Sequence, residues 1–159
     1  MRLFYYAFLL TVVSVQSSCR KSKAASEFNR FENSTIILEK TPCYGTCPVY
    51  VITIKGTGEV MYEGKEHVTK KGKYQKKLSD KEVNKLFNAF ECSNFSDFRS
   101  EYTEEVSDMP TTYLTFEHRG YKKKITDYYG APEELKKLEK MVEEIAESEE
   151  GWDQVTNDE

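Results

Sequence analysis

Apolar and polar positions alternate with strand period over much of this chain and with helical period in two places. Ser34 to Lys40 (STIILEK) is rich in β-branched residues and predicts a first strand. Tyr50, Ile52 and Ile54 then share one face, while Val51, Thr53 and Lys55 share the other. Gly56-Thr57-Gly58 turns the chain, and Glu59 to Glu63 returns with Val60 and Tyr62 opposed to Met61, as in a β-hairpin. Gly64 to Gly72 reads as a polar loop or edge, and Lys73 to Leu78 as a short further strand through Tyr74 and Leu78.

Ser79 and Glu82 form a capping box, and Val83, Leu86, Phe87 and Phe90 behind it fall at i, i+3, i+4, i+7 on one helical stripe. Phe95, Phe98 and Tyr102 follow in a less regular stretch that should pack beside this helix, and the acidic residues 103–111, with Pro110 near their end, read as an exposed loop. Tyr113 to Glu117 and Tyr121 to Tyr128, joined by His118-Arg119-Gly120, make a second hairpin with Ile125 facing in. Pro132 at the first helical position opens a second helix. Glu133 and Glu134 sit in the turn where the dipole favours anions, and Leu135, Leu138, Val142 and Ile145 form its apolar stripe. From Glu147 the chain is an acidic, frayed tail with Trp152 as its one ready contact.

These elements predict an α+β domain: an antiparallel sheet built from two hairpins plus edge strands, with two amphipathic helices packed on one face. The organisation read from the chain is a leader (1–18), a polar tether (19–33) in which Phe28 and Phe31 dock only loosely, one α+β domain (34–152) and an acidic tail (153–159).

The N-terminus changes the picture of where the domain sits. Arg2 precedes a mostly apolar run from Leu3 to Val15, the length of a signal core and short of the roughly 20 residues a bilayer span needs. Ser17 and Ser18 then lead to Cys19, the pattern of a lipoprotein signal in which the cysteine becomes the acylated first residue. Ordinary cleavage near Ser17 is the alternative. The first reading makes Cys19 the lipid attachment site and places the protein on a membrane of the cell envelope, facing the periplasm or the exterior. Export also implies an oxidising compartment in which disulfides persist.

Composition adds exclusions. With 38% hydrophobic and 31% charged residues the chain is an ordinary globular one, and its net charge of −4 argues against a nucleic-acid binder, which needs a basic surface. No nucleophile elbow, zincin helix or phosphate loop is present. His67 and His118 sit in polar turn contexts and are expected at the surface. No pair of carboxylates stands out, since the glutamates fall mostly on helix surfaces and the tail.

Between the first two strands Pro42 and Pro48 bracket a turn holding Cys43 and Cys47. Proline cannot donate to a sheet ladder, so the segment leaves the sheet there. A Cys-x3-Cys pair in an oxidising compartment is most simply a disulfide that holds the shape of its turn. A thiol-redox or metal-binding pair is the alternative, although redox pairs of this kind favour a helix N-terminus and zinc wants four ligands. Cys92, just behind the first helix's stripe, reads as a buried free thiol.

The run Pro42-Cys43-Tyr44-Gly45-Thr46-Cys47-Pro48 with Tyr50, then Ile54, a glycine turn and Tyr62-Glu63-Gly64, resembles a bacterial family known as domain of unknown function 6438. Weaker likenesses follow at Phe95 to Tyr102, Asp108, Gly120, Leu135, Leu138 and Trp152, so the resemblance spans roughly residues 34–152. It implies small exported proteins, often lipid-anchored, and transfers no catalytic residue.

Charge is segregated. Lys65, Lys70, Lys71, Lys73, Lys76 and Lys77 cluster past the first hairpin, and Glu101, Glu104, Glu105 and Asp108 cluster in the later loop. Such runs are usually solvated faces, but Lys70, Lys71, Lys73, Lys76 and Lys77 form a candidate patch for an anionic surface such as lipid headgroups. The sequence calls for no cofactor and no metal. The function expected is non-enzymatic: a lipid-anchored envelope protein whose domain meets another envelope protein. A pocket for a small hydrophobic ligand between sheet and helices is a further alternative.

Overall fold

The computed structural model describes residues 30–104 and 108–156. The leader, Cys19, Phe28 and Glu105 lie outside the described residues. Strands β1 (Thr35–Lys40), β2 (Val49–Lys55), β3 (Glu59–Glu66) and β4 (Gly72–Lys77) precede helix α1 (Asp80–Cys92). A single 3-10 turn (Phe95–Asp97) and strands β5 (Glu101–Tyr102), β6 (Thr112–His118) and β7 (Tyr121–Asp127) lead to helix α2 (Glu133–Glu147) and strand β8 (Asp153–Gln154). The protein is α+β, one sheet in the order β5-β7-β6-β1-β2-β3-β4-β8. Every pairing is antiparallel except β5 with β7.

Both predicted hairpins form, and β1 lies between them, paired along all its residues with β2 on one side and β6 on the other. Alternation then decides which side is hidden. Ile36, Leu38, Ile52, Ile54, Val60, Leu114 and Ile125 are buried on one face, and both helices lie against it. Phe87 and Phe90 of α1 meet the Phe116 ring at 6.4 and 5.3 Å between centroids. Side chains thus fill the space between the sheet and α1 around these rings. The opposite face carries Thr35, Glu39, Thr53, Met61, Lys73 and Gln75, and is polar or half-exposed.

Several boundaries move. The supposed loop after Glu63 is mostly strand, since β3 runs to Glu66 and β4 starts at Gly72. Pro132 is the N-cap of α2 and not its first helical residue. Phe31 is buried, its ring tilted against that of Phe87 at 5.3 Å, so the end of the tether packs tightly where loose docking was expected. Gly56 permits this, because a Cβ there would strike the Phe31 carbonyl. At the other end, Asp153 and Gln154 pair with β4, so the tail begins as an edge strand.

The α1 cap forms as read: the Ser79 side chain accepts from the Glu82 amide while Glu82 accepts from the Ser79 amide at 2.8 Å. Along α2 the stripe gains a polar member. Glu139 is buried beside Asp127 of β7, and Lys136 donates to both carboxylates. Burial, and then the Asp127 charge, push the Glu139 carboxyl up to about 7. A retained proton on Glu139 removes one of two facing negative charges and can be shared with Asp127. Glu139 is thus an exception to the expectation that the glutamates fall mostly on helix surfaces and the tail.

The sign of the pH effect follows. Unfolded, Glu139 loses its proton near 4.5, and folded it keeps it to about 7. Its contribution is complete below the lower value and is lost as pH rises through the upper one. Urea unfolding should therefore show stability falling by about 3 kcal/mol across that window. The Glu139→Gln variant, whose amide can still donate to Asp127, should be flat there; an equally steep fall in the variant would assign the titration elsewhere.

Candidate functional site

The Cys43–Cys47 turn leads directly into the one cleft that gathers unusual chemistry. The two cysteines are disulfide-bonded with their Cα atoms 5.7 Å apart, and the Gly45 amide donates to Cys43 Sγ at 3.3 Å. A ring this small removes little chain entropy, about 2 kcal/mol, so its main effect is to fix the turn. Tyr44 stands at its tip, 92% exposed. No helix N-terminus lies behind the cysteines, since β2 follows. Among the described residues no three His, Cys, Asp or Glu side chains gather as a metal would need.

Where the turn enters β2, pairing with β3 slips between Val49 and Tyr50. Bulges of this kind re-aim a side chain. The Tyr50 ring lies beside that of Tyr62 at 5.3 Å, and both line a cleft of about 240 Å³ with Pro48, His67, Val68, Thr69, Lys70, Ala146, Glu147 and Glu149. Tyr50 is buried and its hydroxyl has no hydrogen-bond partner among the described residues. Burial, then the charges of Glu143 and Glu147, hold that hydroxyl firmly protonated. The Tyr62 hydroxyl is likewise pushed up to about 12, chiefly by burial.

The wall of the cleft is the C-terminal end of α2, and here two of the candidate patch lysines are consumed. Lys70 donates to the Ser148 carbonyl at 3.1 Å, with its ammonium 5.7 Å from the ring centres of both Tyr62 and Trp152. Lys76 donates to Ser148 Oγ at 2.5 Å and lies 4.6 Å from the Trp152 ring, whose Nε1 donates to the same carbonyl. These lysines supply the positive charge that the last turn of α2 lacks. Gly64 lets the chain fold over them, since a Cβ there would meet the Lys70 carbonyl. Lys71, Lys73 and Lys77 are exposed, the last two on the open sheet face. The five residues therefore do not form one surface.

Of the histidines, His67 is exposed on the cleft rim. His118 is buried, against expectation. Its Nδ1 shares a 2.7 Å hydrogen bond with Ser34 Oγ, and Nε2 lies 3.8 Å from Glu91, which pairs with Arg30. Burial, with Arg119 and Arg30, lowers its pKa and keeps it neutral. Serine, histidine and glutamate in sequence suggest a nucleophilic relay, but Ser34 is 2% exposed and 3.8 Å is beyond hydrogen-bond range. The group clamps the Phe31 segment to the sheet. Cys92 is exposed and is not a free thiol, which corrects the buried-thiol reading.

Signals for the missed residues existed. His118 continues the inward row of Leu114 and Phe116, and Lys76 falls between inward Tyr74 and Leu78. Glu139 sits on the stripe of Leu135, Leu138 and Val142. Nothing local marks Tyr50 as lacking a partner.

A buried hydroxyl without a partner costs stability. Tyr50→Phe should raise the unfolding free energy by about 1–2 kcal/mol in denaturant titration. A loss of stability would mean the hydroxyl is already satisfied.

A family model described as Domain of unknown function (DUF6438) matches residues 34–146. No curated protein and no solved structure matches this chain.

Proposed function

The chain belongs to the DUF6438 family, and we propose that this member is a tethered binding module of the cell envelope. It is held to a membrane by an acyl group on Cys19 and takes a small polar ligand in the Tyr50 cleft. The observation that carries the binding reading is the unpartnered Tyr50 hydroxyl at a cleft of ligand size. Of the buried polar atoms left without a partner among the described residues, the Tyr50 oxygen is the one that lines a cleft of this size, where a bound polar group could reach it. The envelope reading draws on the leader ahead of Cys19 and on a disulfide that suits an oxidising compartment.

A second reading has its own observation. Tyr44 stands almost wholly in solvent on a turn that the disulfide makes rigid. A stiffly held aromatic is a favourable anchor for a protein partner in the envelope, because little freedom is lost when it is buried.

Anchoring is tested by intact mass and fractionation of the full chain. The wild type should sediment with membranes and carry acyl mass, and Cys19→Ala should be released without it. Wild type recovered free of acyl mass in the soluble fraction, or with Cys92 joined to the Cys19 sulfur that acylation would occupy, would remove the anchor. Binding is tested by adding the low-molecular-mass fraction of an envelope extract to labelled protein. Amide shifts should concentrate at Tyr62, Val68, Lys70 and Ala146; no shift, or shifts spread over the sheet, would count against the cleft.

A further inference from the structure

We propose that the Tyr50 cleft takes a primary alkylammonium group, the head of a lysine side chain or of a small diamine. This deepens the binding reading above and rests on it.

The charges left over at the site decide the class. α2 ends at the cleft with a last turn that holds no basic residue of its own, so the negative pole of the helix faces this region, and its Ile145 and Ser148 carbonyls are taken up by Lys76, Lys70 and Trp152. Among the described residues Lys70 is the only fixed cation lining the cleft, and it is already committed to the Ser148 carbonyl and to two aromatic rings. It is therefore not free to receive an anion. Glu147 and Glu149 line the same cleft, and neither has an ion-pair partner among the described residues. Glu143, by contrast, is paired with Lys40 at 2.5 Å. What remains open is two carboxylates, the Tyr50 oxygen and the flank of the Tyr62 ring, with exposed His67 and Thr69 on the rim.

An R–NH3⁺ group has three donors and no acceptor. It has a donor for each of three acceptors that line the cleft, Glu147, Glu149 and the Tyr50 oxygen, and an alkyl chain to lie along a tyrosine ring, where a cation is also attracted to the π face. The protein itself supplies the precedent: the Lys70 and Lys76 ammonium groups already lie among a carbonyl, a hydroxyl and aromatic rings a few ångströms away. A quaternary ammonium lacks the donors, and a carboxylate would meet Glu147 and Glu149. Neither fits.

Trp152 is the single tryptophan of the chain and touches both Tyr62 and Lys70, so its fluorescence reports on the site. The full chain is titrated with 1,5-diaminopentane, an N-acetylated Gly-Lys-Gly amide, tetramethylammonium, 1,5-pentanediol and glutarate. The two primary amines should give saturable changes, and tetramethylammonium should bind about tenfold more weakly or worse. Binding of the peptide alone points to lysine in a polypeptide, and binding of the diamine as well points to free amines. Glu147→Gln with Glu149→Gln should weaken amine binding about tenfold, with the thermal melt unchanged because both side chains are exposed. Amine binding indifferent to that double variant would place the amine elsewhere and overturn the proposal. Saturation by glutarate or the diol without the amines overturns the ligand class and leaves the cleft as a binding site. No saturation by any of the five, together with no cleft shifts from the extract, removes both.

Discussion

A sheet of eight strands with one apolar face must hide that face, and two helices are not wide enough to do it alone. Much of the rest of the molecule answers this shortage. Phe31 closes one end, wedged against Phe87 and His118 where β1 begins. Trp152 closes another edge, packed on Tyr62 at 5.5 Å beyond the end of α2. Burying aromatic rings of this size contributes on the order of several kcal/mol each, enough to fasten segments that have little regular structure of their own. The cleft lies where this cover runs out. Here the inward row changes from isoleucine to tyrosine, a residue with a ring for the sheet and a hydroxyl for whatever lies above it.

The polar groups inside the fold sit where separate pieces of chain meet. Ser34, His118, Glu91 and Arg30 join the incoming segment to β6 and α1. Asp127, Glu139 and Lys136 join β7 to α2. Lys70, Lys76 and Ser148 join the β3–β4 hairpin to the far end of α2. Such contacts add less to stability than apolar packing of the same volume would, but they are directional, and each allows only one placement of the element it holds. Two of these junctions fix the two ends of α2, and so fix the position of the cleft wall.

What was legible in the sequence is what short-range periodicity encodes. The capping box at Ser79, the α1 stripe and both hairpins needed no knowledge of distant partners, because each is specified within one short stretch of chain, 18 residues for the longest, Val49 to Glu66. The failures share the opposite property. Ser34 meets His118 across 84 positions and Lys76 meets Ser148 across 72. A lysine-rich run read only along the chain looks like one basic surface; the strand pleat sends alternate members to opposite faces. The edge strands β5 and β8 are two residues each, too short for alternation to show. The cleft was only half visible. Its disulfide turn announced itself, whereas the missing partner of Tyr50 is a fact about three-dimensional neighbours.

The central place of β1 has a mechanical side. Its six residues are laddered to β2 and to β6 in full register, and the chain enters it from the N-terminal end. Tension drawn through that end along the strand axis loads both ladders in shear together, so twelve residue pairings must slide at once instead of opening one after another. Pulled through that end, the domain would thus be gripped at a doubly laddered strand, while the tyrosine cleft at the opposite end of β1 stays unloaded.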